Sequence, residues 1–340
     1  MINRKLKIIV VSSFSLLGIL LLCGGLCFLE ISSFIKTPPH PSAQATEFTI
    51  TPGQSLKRIA KNLEKNAIIS NQLYFIVFTK LKKAEKKLQA GEYHLSGASS
   101  PEQILEILTS GRVKLYRITI PEGLNINEIG DLMETMGGCN QKTFSDLCHD
   151  RSFAHSLGIK STTLEGYLFP DTYFYPKQAS CEDIIRTMVG HFNRIFTPKW
   201  QARAKTLGFS VHEIVILASM IEKETGDASE RPLIASVFHN RLKKNMRLES
   251  DPTVIYGIND FDGNIKRKHL KMPTPYNTYQ IKGLPQGPIA NPGALSIQAA
   301  LYPAPTKYLF FVSKKDTTHQ FSRTLQEHNQ AVKTYQLRNE

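Results

Sequence analysis

The chain has 340 residues, 41% of them hydrophobic, which is apolar side chain enough for more than one packed core. Its 42 Lys and Arg against 29 Asp and Glu leave a formal charge of +13, which suits an anionic envelope better than nucleic acid, for which no module is visible. Five cysteines without zinc-type spacing exclude a disulfide-dense scaffold and a zinc finger.

The tail 1–7 carries Arg4, Lys5 and Lys7, and Ile8 to Leu29 then runs without a charged residue. That run is long enough to cross a hydrocarbon core of about 30 Å as one helix, and the basic start places the tail in the cytoplasm and everything after Leu29 outside it. A cleaved signal peptide is the rival, but its apolar region is shorter and Ala43-Gln44-Ala45 stands too late for a cleavage site. Cys23 and Cys27 each follow a leucine, against lipoprotein processing. A single-pass inner-membrane anchor is expected, followed over 30–46 by a semi-rigid linker with Pro38, Pro39 and Pro41.

Two stretches of the body echo each other. Phe48 to Gly53 is a short alternating strand and a Pro/Gly turn, followed by Leu56, Ile59, Ala60 and Leu63 at helical spacing; Tyr116 to Gly123 repeats the pattern, followed by Ile126, Ile129 and Leu132. Further on, Gly91 to Leu95 is matched by Gly166 to Phe169. We therefore expect two small α/β modules, over 47–112 and 113–199, and a catalytic domain over 200–340, an α+β chain as a whole. The lysines Lys80, Lys82, Lys83, Lys86 and Lys87 form either a solvated helix face or a contact to phospholipid or anionic wall polymer. With only Cys139, Cys148 and Cys181 in the body, at most one disulfide forms there.

From about Trp200 longer helices follow. Val211 to Thr225 reads as a helix apolar on every side at its centre, and Ser229 to Lys244 as a second, with Ile234, Val237, Phe238 and Leu242 turned inward. Lys266 to Gly293 has neither period, and unpatterned loops of that length are usually functional. Leu295 to Leu301 reads as a helix, Tyr308 to Ser313 as a buried strand and Thr324 to Leu337 as a closing helix.

Glu222 carries the chemical interest, because Ala218, Val215 and Val211 lie behind it on one stripe. Desolvation and the helix C-terminus would both hold such a carboxyl protonated, as a general acid for a glycosidic oxygen must be. Pairing with Lys223, Arg241 or Arg247 would instead make it structural. Glu224, two positions on, points about 160° away on a continuous helix and reads as a pairing or capping residue.

The segment Ala218-Ser-Met-Ile-Glu222-Lys-Glu-Thr225, with Ser229-Glu-Arg231, Ala235 to Leu242, Ser250-Asp-Pro-Thr-Val-Ile-Tyr-Gly257, Pro275 to Tyr279, Gly283-Leu-Pro285, Pro288 to Gly293 and His319-Gln-Phe321, resembles the endolytic murein transglycosylase (YceG-like) family. That resemblance implies a membrane helix, a LysM-like region and a catalytic domain, with the first glutamate of Glu-Lys-Glu-Thr, here Glu222, as the catalytic residue. It implies cleavage of the β-1,4 bond between N-acetylmuramic acid and N-acetylglucosamine in peptidoglycan strands, 1,6-anhydro ends and association with penicillin-binding proteins. No cofactor or metal is implied. Glu249 and Asp251 are the candidates for a second carboxylate, although the family often carries Gln at the former. Tyr276, Asn277, Thr278 and Tyr279 in the long loop, with Asn240 and Arg241, are the candidates for holding sugar and peptide groups. A hydrolytic muramidase and a non-catalytic wall-binding protein are the alternatives.

Overall fold

The computed structural model describes Gly18 and residues 21–22, 24–26, 28–258 and 261–337. The tail 1–7 and most of the Ile8 to Leu29 span lie outside those residues, and among the described ones no single helix is long and apolar enough to cross a membrane. Residues 28–36 are helical, with Phe28 and Leu29 exposed and Phe34 buried. The chain divides into two compact units, Met1–Tyr116 with Pro176–Gln178, and Arg117–Tyr175 with Ala179–Glu340.

In the first unit β1 (Thr46–Ile50) pairs antiparallel with β2 (Gly91–Leu95), setting Phe48 opposite Tyr93. Between them run α1 (Leu56–Lys65) and α2 (Gln72–Leu81), and α3 (Pro101–Ser110) follows. Strand alternation buries Phe48 and Ile50, and α1 turns Leu56, Ile59, Ala60 and Leu63 into the same core, the stripe its spacing predicts. Ser55, Asn71 and Ser100 begin the three helices by accepting first-turn backbone N–H groups.

Next in the chain, β3 (Leu115–Thr119) pairs with β4 (Thr172–Pro176), with α4 (Ile126–Thr135), α5 (Gln141–His149) and α6 (Arg151–Ser156) between them. Then come α7 (Cys181–Ile195), α8 (Pro198–Leu207), α9 (Val211–Glu224), α10 (Arg231–Lys243), the short α11 (Asp251–Tyr256) and α12 (Arg267–Leu270), and α13 (Ala294–Leu301). An antiparallel hairpin of β5 (Phe310–Ser313) and β6 (His319–Ser322) and α14 (Leu325–Tyr335) close the chain. Cys139 and Cys181 form a disulfide, and Cys148 is free and buried.

Three expectations meet differences. The sequence sets a boundary after residue 199, but Ile184, Met188 and Phe192 of α7 share one hydrophobic cluster with Ile214 and Leu217 of α9, so 117–175 and 179–199 belong with the C-terminal helices to one unit. Gly166 to Phe169, expected to echo β2, is a turn, and the strand begins six positions later. Gly166 has φ +86°, and a Cβ there would stand 2.6 Å from Val215 and 2.7 Å from Pro288, so the glycine serves a close backbone approach. The strand expected to be buried over Tyr308 to Ser313 is half-buried, because its sheet has only β6 beside it.

Candidate active site

α9 is capped by Ser210 and Glu213 in a reciprocal box, and Ile214 through Ile221 are buried on every side. Its last turn emerges from that core with two carboxylates, and they face different neighbours.

The Glu222 carboxylate finds polar partners at the end of the apolar stripe. It accepts from Arg231 Nη2 at 3.2 Å and from the Gly293 N–H at 2.9 Å, and the Glu222 side chain is 6% exposed. The partner is none of the cations the sequence offered. Glu122, on the loop after β3, stands on the same guanidinium at 3.4 Å; burial raises its carboxyl and the Glu222 charge adds to the rise, while Arg231 opposes both. Lys223 Nζ donates to Gly123 O at 3.1 Å, and Gly123 and Asn291 are joined by an N–H to carbonyl bond of 2.9 Å. A side chain at Gly293 would overlap the Glu122 carboxyl. Glu222 is thus the centre of a joint between α9, the 122–124 loop and the 291–293 segment.

Beside that joint lies Glu165, buried at 3% exposure. It accepts from Tyr256 Oη at 2.8 Å, the Ile126 N–H at 3.2 Å and Asn291 Nδ2 at 2.9 Å, yet burial outweighs these donors and pushes its carboxyl up to about 7.

Glu224 faces the other way. It accepts from Ser250 Oγ while the residue keeps partial exposure. Burial pushes its carboxyl up to about 7, and the nearby Asp251 charge adds to that rise; the Ser250 hydrogen bond and Arg241 oppose it. Around Ser250 the backbone is fixed by threonines: the Ser250 N–H donates to Thr278 Oγ1 at 2.9 Å, and Thr278 Oγ1 lies 2.8 Å from Thr253 Oγ1. Tyr279 Oη donates to Asp251 Oδ1 at 2.7 Å, and burial holds that phenol protonated. Glu249 is exposed, at φ +51°, and its Oε2 accepts from Arg241 Nη1 at 3.0 Å.

Five of the eight flanking candidates, Arg241, Glu249, Asp251, Thr278 and Tyr279, therefore gather near Glu224. The others do not join them. Asn240 Nδ2 is taken by the Thr306 and Tyr308 carbonyls at 3.0 and 2.9 Å. Asn277 is fully buried and its Nδ2 donates to the carbonyls of His269, Leu270 and Met272. Tyr276 packs on Tyr256 with ring centroids 4.8 Å apart, on the Glu165 side. Arg241, a candidate for holding substrate or for a scaffold role, is 7% exposed and donates to the Leu309, Arg247 and Leu248 carbonyls as well as to Glu249. The residues passed over in the sequence are Glu224 as a raised acid, its donor Ser250, and the buried Glu165 and Arg231.

A partly exposed acid at a helix end, opening on carboxylate, phenol and hydroxyl groups, suits acid–base chemistry. The chain belongs to the YceG-like family, whose model matches residues 48–334. It is 36% identical over 332 residues to the endolytic murein transglycosylase of Bacillus subtilis (strain 168), covering 93% of this chain and 91% of that one. The endolytic murein transglycosylase of Streptococcus pneumoniae serotype 2 (strain D39 / NCTC 7466) is 28% identical over 78% of this chain, which spans 53% of that longer protein. A crystal structure of a putative YceG-like protein from Listeria monocytogenes superposes with a TM-score of 0.59 at 34% identity, covering 84% of this chain and 98% of that one.

Proposed function

We propose that this chain is an endolytic murein transglycosylase that cuts the β-1,4 bond from N-acetylmuramic acid to N-acetylglucosamine, leaving 1,6-anhydro-muramic ends, with Glu224 as the proton-transfer group. The observation that carries the reading is where Glu224 stands: at the end of α9, partly exposed and accepting from Ser250 Oγ, on a face shared with Asp251 and Tyr279, with burial and the Asp251 charge favouring its protonated form. Glu224 protonates the departing O4 of the N-acetylglucosamine as the C1–O4 bond breaks. As carboxylate it then takes the proton from the muramic C6 hydroxyl while O6 bonds to C1, which returns the acid to its starting form and consumes no water. Asp251 supplies negative charge toward the oxocarbenium-like centre, while Glu249 is paired with Arg241, and one essential carboxyl suffices where a hydrolase needs two.

Glu222, the residue the family resemblance nominates, is held by Arg231 and the Gly293 N–H and is the other candidate for that role. The test is direct. Purified glycan strands are incubated with wild type, Glu224→Gln and Glu222→Gln, and the ends are weighed by mass spectrometry. Anhydro ends from wild type that vanish only in Glu224→Gln support the assignment; their loss in Glu222→Gln with retention in Glu224→Gln returns it to Glu222. Reducing ends one water heavier would make the enzyme a hydrolase.

The membrane reading belongs to the same proposal. Ile8 to Leu29 anchors the chain in the cytoplasmic membrane with its body outside, where nascent strands emerge and penicillin-binding proteins are the partners the family resemblance implies. Carbonate-resistant membrane retention that is lost on deleting 1–29 tests the anchor, and crosslinking in cells tests the partners.

A further inference from the structure

α2 of the first unit leaves an apolar face uncovered. Leu73 is 67% exposed, Val77 41% and Leu81 71%, and their spacing of four residues lines them along one side of the helix. Basic residues cluster at its C-terminal end: Lys80, Lys82 and Lys83 are exposed, and the 3-10 turn Glu85–Lys87 adds Lys86 and Lys87. The opposite side of α2 is anchored by Phe75 and Phe78, which are 0% and 2% exposed, so the stripe is a surface and not a loosened core.

The same helix touches the chain's apolar N-terminal segment. Tyr74 Oη donates to Glu30 Oε2 at 2.6 Å, and the Tyr74 and Phe34 rings meet edge to face at 5.7 Å. Just before Glu30 stand Leu26, Phe28 and Leu29, each more than half exposed. An apolar stripe, a cationic end and continuity with an apolar segment combine on one element of one unit.

We propose that this face of α2 is an interfacial membrane-docking surface, with Leu73, Val77 and Leu81 entering an anionic bilayer at headgroup depth and the lysines of 80–87 engaging lipid phosphates. A helix with leucine and valine on one side and snorkelling lysines beside it has the composition of a peripheral lipid-binding element. The inference goes beyond the proposed anchor, because it concerns a second contact made by the folded unit.

The single tryptophan, Trp200, makes the test clean. The full chain carrying Trp200→Phe and Val77→Trp is reconstituted into bilayers whose acyl chains are brominated, made of phosphatidylcholine alone or with phosphatidylglycerol. Wild type, reporting from position 200, sets the unquenched background. Position 77 is expected to be quenched and blue-shifted in the anionic bilayers and near background in the zwitterionic ones. Each lysine at an anionic surface contributes about a fivefold factor, so Lys80→Gln with Lys86→Gln lowers docking about 25-fold and returns the emission toward background. Emission from position 77 that stays unquenched while the chain floats with the bilayer overturns the docking and leaves the anchor standing. Equal quenching in both bilayers, indifferent to the lysine changes, overturns the anionic recognition. Leu73→Trp is read in the same way if Val77→Trp melts below wild type.

Discussion

If Glu224 delivers the proton, its neighbours set the alkaline limb of the pH profile of kcat/KM, and two conservative changes move that limb in opposite directions. At pH 7 a carboxyl at its ordinary 4.5 is protonated in only about 0.3% of molecules, whereas one at about 7 is protonated in about half, so the site gains more than a hundredfold in competent acid. Ser250→Ala removes a hydrogen bond that favours the charged form; at about 1.5 kcal/mol for a bond to an ionised acceptor, the limb shifts up by about one pH unit. Asp251→Asn removes a charge that favours the neutral form, while keeping an oxygen for Tyr279, and the limb shifts down. The assay is anhydro-end formation from purified strands at low substrate between pH 5 and 9. The acid form must be present, so the rate is level below the limb and falls about tenfold per pH unit above it. Limbs that coincide in both variants and wild type, or a limb that moves instead with Arg231→Met, would refute the assignment.

Other consequences concern the frame. Arg231→Met leaves the Glu222 and Glu122 carboxylates facing each other beside a guanidinium-sized gap, at a cost of about 3–5 kcal/mol read by urea unfolding. Gly166→Ala forces a Cβ against Val215 and Pro288 at φ +86°, which costs about 3 kcal/mol in the same assay. Glu165 has its folded-state value raised from 4.5 to about 7, so the fold favours its proton. Its contribution is fully present below about pH 4.5 and is lost as pH rises through 7, by roughly 3 kcal/mol in all. Unfolding free energies of wild type measured at pH 5 and pH 8 should show that loss. Glu165→Gln should flatten it, leaving the residual slope of the same sign that Glu224 contributes.

The elements were legible where periodicity was strong. The stripe Leu56, Ile59, Ala60 and Leu63 and the core of α9 lie where spacing puts them, because burial of an apolar face is what gives a helix of that length its stability. The choice between Glu222 and Glu224 was not legible by the same means. α9 is buried on every side from Ile214 to Ile221, so apolar residues stand behind both glutamates and a stripe cannot rank them. The angular argument that set Glu224 apart from Glu222 was sound geometry, but it told which residues face apart and not which face the chemistry occupies. The long loop is a related case. An unpatterned segment of that length has backbone groups with no ladder to join, and Asn277 is consumed in satisfying three of their carbonyls. Asn240 and Arg241 are spent likewise on the approach to β5. Glu165 had a faint signal, an acid between Leu164 and Tyr167 in a stretch otherwise apolar, but nothing in its spacing named Asn291 as its partner.

On the proposed assignment the two glutamates that end α9 divide the work, because a catalytic acid and a structural anion need opposite surroundings. An ion pair with Arg231 and a backbone N–H both reward negative charge, which suits a strut that must hold the 122–124 and 291–293 segments together at every stage of turnover. A proton donor must lose and regain its proton each cycle, and Glu224 is given a hydroxyl and the Arg241 charge against its burial and the charge of Asp251. The strut nevertheless reaches the chemistry through about half a turn of helix, since whatever tilts Glu222 tilts the carboxyl two residues on. Glu222→Gln is therefore expected to lower kcat through misplacement while leaving the alkaline limb where wild type has it. Glu224→Gln is expected to abolish turnover at every pH. A Glu222→Gln enzyme whose limb moves would mean that Glu222 takes part in the proton transfer, and the division of labour would fail.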